Sequence, residues 1–471
     1  MICFNKYIAT FLWVYLIVFT ANAQVHPDAQ YAEGILLNKK MDGFRGIWYA
    51  NQPNNSEFVY KYGGGLGTYT ANHNPLAIYS EEVQKTFFCY GAVNEEGSLI
   101  YAVSFFDHRN QTLAKPTAVF DKKTTDAHDN PVLSIDDEGY IWIFGTSHGV
   151  WRPSYILKSK SPYSIDEFEL VEATKSQDGQ KIVMDIFSYL QVYHSPREGF
   201  IGLFTHYIDK PFPLGPKNTR VISWMKSKDG QNWSEWKDIA SIEEGHYQTS
   251  VFSKGKLSSA FNYHPYTKGD IGLNYRTNLY YLETSDYGNT WQNAEGKSIQ
   301  LPLTEVGNDA LVKDYKSEEL LVYINDIMHD KDGNPVILYV TSKGFDPGPE
   351  HGPHTWNLAK WNGKSWELVR ITDSDNNYDM GSIFIDSLGD WMIIGPTVSG
   401  PQKFNTGGEM AQWRSKDKGK SWQLERQLTK NSEYNHSYAR KPLTSHPDFV
   451  ALWADGHGRK PSESRLYFSN S

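Results

Sequence analysis

The chain has 471 residues with 46 Lys and Arg against 55 Asp and Glu, a formal net charge of −9, so the molecule as a whole offers nucleic acid no attraction. Of its two cysteines one, Cys3, lies in the N-terminal head, which leaves Cys89 alone in the rest of the chain and excludes an internal disulfide there. The 15 Trp, 30 Tyr and 23 Phe supply ample apolar area for a large core held together by burial.

In chain order, Lys6 precedes an apolar run over 7–20, and Ala21-Asn22-Ala23 then forms an A-x-A cleavage site. A run of that length is short for a membrane span, which needs about 20 apolar residues. Residues 1–23 therefore read as a cleaved signal peptide. The mature chain is expected to be exported, periplasmic or secreted, with no membrane insertion after cleavage. No linker, low-complexity stretch or charge block divides 24–471, so it reads as one domain.

What recurs along it is a turn between β-rich runs. The pattern S-x-D-x-G-x-[ST]-W, the Asp box, is met at 415–422, with Thr first at 284–291 and one residue shorter at 227–233. Looser versions stand at 136–142, 330–334 and 386–391. Asp accepts backbone N–H bonds across the turn, Gly takes a positive φ, and Trp folds back over the hairpin. Spacings of roughly 57 to 65 residues with four short strands per unit are those of propeller blades. The expectation is an all-β, seven-bladed β-propeller with Asp-box hairpins. Such turns identify a fold and say little about a substrate.

Three segments carry polar side chains that turns do not need. His128 and His148 stand at the two ends of one hairpin, 132–135 and 140–144, which would bring them together. Such a pair binds a metal, shares a proton or grips a carboxylate, or else is two unrelated loop histidines. Tyr189 and Tyr193 lie in the run 187–194, Arg220 in 219–221, and Tyr263, His264 and Arg276 in the third segment. Tyr and Arg beside His suit elimination on a uronic acid. The C5 proton becomes acidic once its neighbouring carboxylate is neutralised, and Tyr or His can then take it while a second group protonates the departing oxygen. Taken singly, each tyrosine also reads as an ordinary sheet residue.

The runs around His128 and His148, at 261–264 and at 276–281, with 60–69 and 434–440, resemble the Asp-box propeller group that contains the ulvan lyases of polysaccharide lyase families 24 and 25. The resemblance implies β-elimination on uronic acid residues of ulvan, a sulfated green-algal polysaccharide, or of its oligosaccharides, leaving unsaturated uronate ends. It implies His128, His148, Tyr193 and Arg220 as catalytic residues, with Tyr193 moving a proton, Tyr189 its rival, and Arg220 neutralising the carboxylate. Tyr263, His264, Arg276 and Tyr189 become substrate contacts, and the partner is an anionic polysaccharide or oligosaccharide. No cofactor is implied for the chemistry, although a structural Ca²⁺ or Zn²⁺ is compatible with the family. His351 and His354, in and beside the Gly/Pro-rich loop 344–353, are the best local metal candidates. The segment 208–219 reads as a longer loop than in the family, which would narrow one end of a cleft and favour chain ends. Three alternatives stay open: a dehydratase expelling water from a terminal uronate, a sialidase-like hydrolase, and a silent glycan-binding propeller. Against the hydrolase, the run 44–47 is not the R-I-P motif of sialidases.

Overall fold

A computed structural model describes residues 33–66, 72–150, 152–184, 186–210, 217–266, 274–386 and 389–471. The signal-peptide segment 1–23 lies outside the described residues. Among those described, regular structure is all strand apart from three-residue 3₁₀ turns such as Ala127–Asp129. No helix among them is long and apolar enough to cross a membrane.

The strands form a succession of antiparallel sheets. Four of these have four strands each in simple chain order. They begin with Pro131–Ile135, Gln248–Ser253, Leu321–His329 and Ser382–Ile385 respectively. Between the first two lies a sheet built on Ser188–Ser195, Gly199–Lys210 and Lys217–Ser227. The first strands pack against one another, Pro131–Ile135 against Ser188–Ser195 and Leu321–His329 against both Gln248–Ser253 and Ser382–Ile385. That arrangement is propeller-like, with successive sheets side by side and their first strands innermost.

The first and last described strands meet in a ten-stranded sheet. The hairpin Lys85–Val93 and Leu99–Asp107 belongs to its first half, and Asn435–Arg440, Ala451–Gly456 and Ser464–Ser469 to its last. The two-residue strand Arg45–Gly46 joins them, pairing with Arg465 and Ser464 on one side and with Ala92 on the other.

The Asp-box turns have the expected construction. The Asp229 carboxylate accepts from the amides of Gln231 and Asn232 at 2.9 and 2.7 Å, and Trp233 donates its indole N–H to the Gly230 carbonyl at 2.8 Å. Gly230 has φ +73°, and a Cβ there would sit 2.5 Å from the Trp142 ring of the preceding sheet. Asp286 and Asp417 cap their own turns in the same way. Each box thus closes its hairpin, and at Gly230 it also presses one sheet onto the next.

One expectation is corrected. Residues 208–219 do not read as a loop throughout: the strands Gly199–Lys210 and Lys217–Ser227 stay in register to the pair Lys210 and Lys217. The flanking strands stop short, Ser188–Ser195 at Thr205 and Lys237–Ala240 at Ile222. The extra length is a two-stranded arm; residues 211–216 lie outside the described residues.

Candidate active site

The site starts from a capped turn. Asp126 accepts the His128 amide at 3.0 Å and so folds Ala127–Asp129 into its 3₁₀ turn. The following hairpin, pairing Pro131 with Gly145 through Ile135 with Ile141, returns the chain so that His148 arrives over His128. Their rings stack with centroids 4.2 Å apart and planes 15° from parallel. One carboxylate serves both: Asp126 accepts from His128 Nδ1 at 2.5 Å and from His148 Nδ1 at 2.8 Å.

A carboxylate without its proton can only accept, so both histidines carry hydrogen on Nδ1 and present a basic Nε2. Burial alone would raise the Asp126 carboxyl, but the charges and hydrogen bonds of the two histidines hold it well below its usual range. Burial, with His148 alongside, pushes His128 below its ordinary value against the pull of Asp126, which favours the neutral base. Arg152 fixes the base of the cluster, donating to Asp126 at 2.8 Å and to both oxygens of Asp129 at 2.8 and 2.9 Å.

From this pair a closed circuit of side-chain contacts runs around the site. His128 lies 6.0 Å from Tyr189, and Tyr189 lies 5.9 Å from Tyr247. The Arg276 guanidinium stands 4.9 Å over Tyr247 and 5.6 Å from Tyr378, to which it also donates at 3.4 Å. Tyr378 meets Tyr62 at 5.1 Å, and Tyr62 returns to His128 at 6.2 Å. Arg220 joins through Tyr207: its guanidinium is 5.2 Å from that ring, and Tyr207 donates its hydroxyl to Tyr189 at 3.1 Å. His264 sits against Tyr247 at 4.7 Å.

The charge of this enclosure is one-sided. Arg276 and Lys61 are buried and Arg220 is half-buried around His264. Burial together with those cations pushes the His264 imidazole well below its ordinary range. Both ring nitrogens of His264 and the Nε of Arg220 are buried without a hydrogen-bond partner. Burial opposes the Arg220 charge, yet the surrounding Tyr247, Tyr207 and Tyr189 raise its pKa above the usual value. An unpartnered Arg220 N–H with further cations around it suits an anionic ligand that brings its own oxygens.

The predicted residues divide accordingly. His128, His148, Tyr189, Arg220, His264 and Arg276 converge. Tyr193 and Tyr263 do not share their contacts. Tyr193 donates to the Ser250 carbonyl at 2.8 Å and accepts from Asn74 at 2.9 Å, its ring against Phe252 in a separate apolar cluster. Tyr263 packs edge-on against Tyr280 in the same cluster. What separates Tyr189 from Tyr193 is a bulge between Ser188 and Gln191, where Tyr189 takes φ +53°. A left-handed conformation at a bulky residue is strained and is held only where the surroundings insist on it.

Sequence reasoning did not single out Asp126, Tyr207, Tyr247 or Tyr378. Asp126 carries the one local signal, two residues before His128 as a turn cap. As for metals, Asp126, His128 and His148 bring three ligand atoms within 4.8 Å, but Arg152 already brings a cation to that carboxylate. His351 and His354 form no such group among the described residues.

The description "BNR repeat-containing family member" fits residues 90–374, more than half of the chain. The chain belongs to this family. Within it, this BNR-repeat chain is 25% identical over 276 residues to an ulvan lyase of Alteromonas sp. (strain LOR), covering 52% of each protein. It is 23% identical over 365 residues to an ulvan lyase of Nonlabens ulvanivorans, covering 71% of this chain and 72% of that one. The match spans about half the length of the Alteromonas relative. A solved family 25 ulvan lyase superposes with a TM-score of 0.69 at 16% identity, over 92% of this chain and 96% of that one. At that identity the superposition speaks for the fold. The resemblance read from the sequence to the Asp-box group containing the ulvan lyases is thereby borne out.

Proposed function

We propose that this BNR-repeat protein is a carbon–oxygen lyase that acts by β-elimination on uronic acid residues of ulvan or its oligosaccharides. The observation that carries the reading is the Asp126-locked histidine pair, facing Tyr189 and a buried surplus of cations. The ulvan lyases among its relatives supply the substrate class. The scaffold counts as seven blades when the ten-stranded sheet is divided at Arg45–Gly46 into a first and a last blade.

In this mechanism Arg220 binds the uronate carboxylate, with His264 and Arg276 beside it, and spreads the charge that develops at C5. His148 accepts the C5 proton through Nε2, being the more open of the pair with its side chain 25% exposed. Burial, with Tyr207 and Tyr247 nearby, raises Tyr189 well above the ordinary phenol value, so it keeps its proton and suits the acid role. The C5–H bond breaks toward His148, the C4–O bond breaks with O4 taking the Tyr189 proton, and the C4=C5 bond forms. Each of these steps is carried by side chains of the circuit.

A glycosidase would instead need a free carboxylic acid and a second carboxylate or nucleophile at the scissile bond. Among the described residues of the circuit, Asp126 is committed to two histidines and Arg152, and Asp129 to Arg152. The dehydratase variant gains weight from the arm that carries Tyr207 and Arg220 past the edge of its sheet, since an obstruction there favours chain ends. Incubation with ulvan and its oligomers tests the reading: absorbance of the conjugated C4=C5 bond should rise. Shorter unsaturated products indicate a lyase, and an unshortened product lighter by one water indicates the dehydratase. Saturated products, or no reaction, would reject elimination.

A further inference from the structure

Away from the circuit, the described residues hold another group of two histidines and a carboxylate: His108, His446 and Asp448. His108 follows the strand Leu99–Asp107 in the first half of the ten-stranded sheet, whereas His446 and Asp448 precede Ala451–Gly456 in its last half. The same seam is bridged by Leu443 donating to the Ala77 carbonyl at 2.8 Å and by Thr444 Oγ1 donating to the Tyr79 carbonyl at 2.7 Å.

The histidine rings lie 3.9 Å apart between centroids, and both Nδ1 atoms face one carboxylate oxygen. His108 Nδ1 is 3.7 Å and His446 Nδ1 3.6 Å from Asp448 Oδ2. Such separations are too long for N–H···O bonds. They do fit the edge of a coordination tetrahedron, because bonds of about 2.0–2.1 Å to Zn²⁺ place neighbouring ligand atoms about 3.4 Å apart.

The protonation pattern agrees. Nε2 of His108 is 2.8 Å from the Thr86 hydroxyl, which can accept its hydrogen and leave Nδ1 as a lone pair. The His108 side chain is only 2% exposed, and that Nδ1 is buried without a hydrogen-bond partner. His446 Nδ1 also carries no hydrogen: its lone pair accepts the Asp448 amide at 3.2 Å, a long bond that a bound ion would replace. Gln111 donates to Asp448 Oδ2 at 2.9 Å, orienting the carboxylate from outside. Three ligand atoms therefore converge, and one of them, the buried Nδ1 of His108, has no partner of its own, a place that a cation would fill.

We propose that His108, His446 and Asp448 bind a divalent transition-metal ion of the Zn²⁺ class, with further coordination open to water, and that the ion staples the first and last parts of the ten-stranded sheet. Two imidazoles and one carboxylate suit Zn²⁺, while Ca²⁺ requires six to eight oxygens. The proposal stands independently of the elimination reading, because none of these residues belongs to the circuit around His128.

The test uses the full-length mature protein stripped with a chelator and then titrated with Zn²⁺ against a chromophoric competitor. Wild-type protein should take up one tightly held ion that D448N and H446Q bind at least about tenfold more weakly. Excess Zn²⁺ should raise Tm by at least about 2 °C in wild type and leave both variants unmoved. Co²⁺ in place of Zn²⁺ should give wild type the visible absorption of a low-symmetry four- or five-coordinate site. Equal Tm values for the three proteins in chelator establish that the substitutions spare the fold. Uptake as tight in both variants as in wild type, or uptake lost only in H148Q, would overturn the assignment.

Discussion

Two clusters in this molecule have the same composition, two histidines and one aspartate, and differ by about an ångström in spacing. At Asp126 both Nδ1 atoms are within hydrogen-bond distance of the carboxylate, at 2.5 and 2.8 Å, and Arg152 completes the charge balance. At Asp448 the corresponding distances are 3.7 and 3.6 Å, the Asp448 amide donates to His446 Nδ1, and the Thr86 hydroxyl can take the His108 hydrogen at Nε2. The first cluster is wired to move protons at Nε2, whereas the second is spaced for an ion. Tautomer and spacing, more than residue type, decide what such a triad does.

The sharpest way to break this contrast is D126N. An amide cannot accept from both imidazoles, so at least one ring loses its tautomer, and turnover should fall by about 10³–10⁴, as for a mis-oriented catalytic histidine. KM should move little, and D448N, measured alongside by the same absorbance assay, should leave turnover unchanged. Next in size, R220A should lower kcat/KM by about 10²–10³ while raising KM, since the carboxylate contact exists in the ground state and tightens in the transition state.

The two tyrosines sharpen the same point. Y189F should lower kcat by about 10²-fold or more with little change in affinity. Y193F should keep its turnover and instead lose about 1–2 kcal/mol of stability in urea melts, because the Asn74 donor and Ser250 carbonyl lose a buried partner. The reverse outcome would return the proton-transfer role to Tyr193.

The smallest effect is on stability against pH. Burial leads the causes that lower His354 to about 4 and His329 to about 3. The folded protein refuses protons that the unfolded chain accepts below its ordinary value of about 6.5, so stability should decline as pH falls from about 6.5 toward 4. Thermal melts across that range should show the decline, and H354Q should flatten part of it.

Much of this was legible in the chain and some was not, and distance along the chain decides which. The Asp boxes at Asp229, Asp286 and Asp417 are complete within eight residues, and so is their physics. His128 and His148 were legible because a single hairpin joins them. Tyr189 and Tyr193 have the same strand parity, so alternation could not separate them; the bulge between Ser188 and Gln191 did. Tyr62 and Tyr378 come from far-apart segments, and only the tertiary fold places them side by side. The segment 208–219 contains Pro211, Pro213 and Gly215, which signal a turn, but the signal does not say how far the flanking strands run.

The tiny strand Arg45–Gly46 has one more consequence. Gly46 pairs with Ser464, so the two halves of the array are joined by a contact between residues very far apart along the chain. Until that pair forms, the first sheet, with Gly46 already beside Ala92, shows an unpaired margin at Arg45–Gly46, and the last has no neighbour to receive it. Pairing at such separation is slow to form, and until it does both margins stay open to other chains. The first and last sheets act as a clasp.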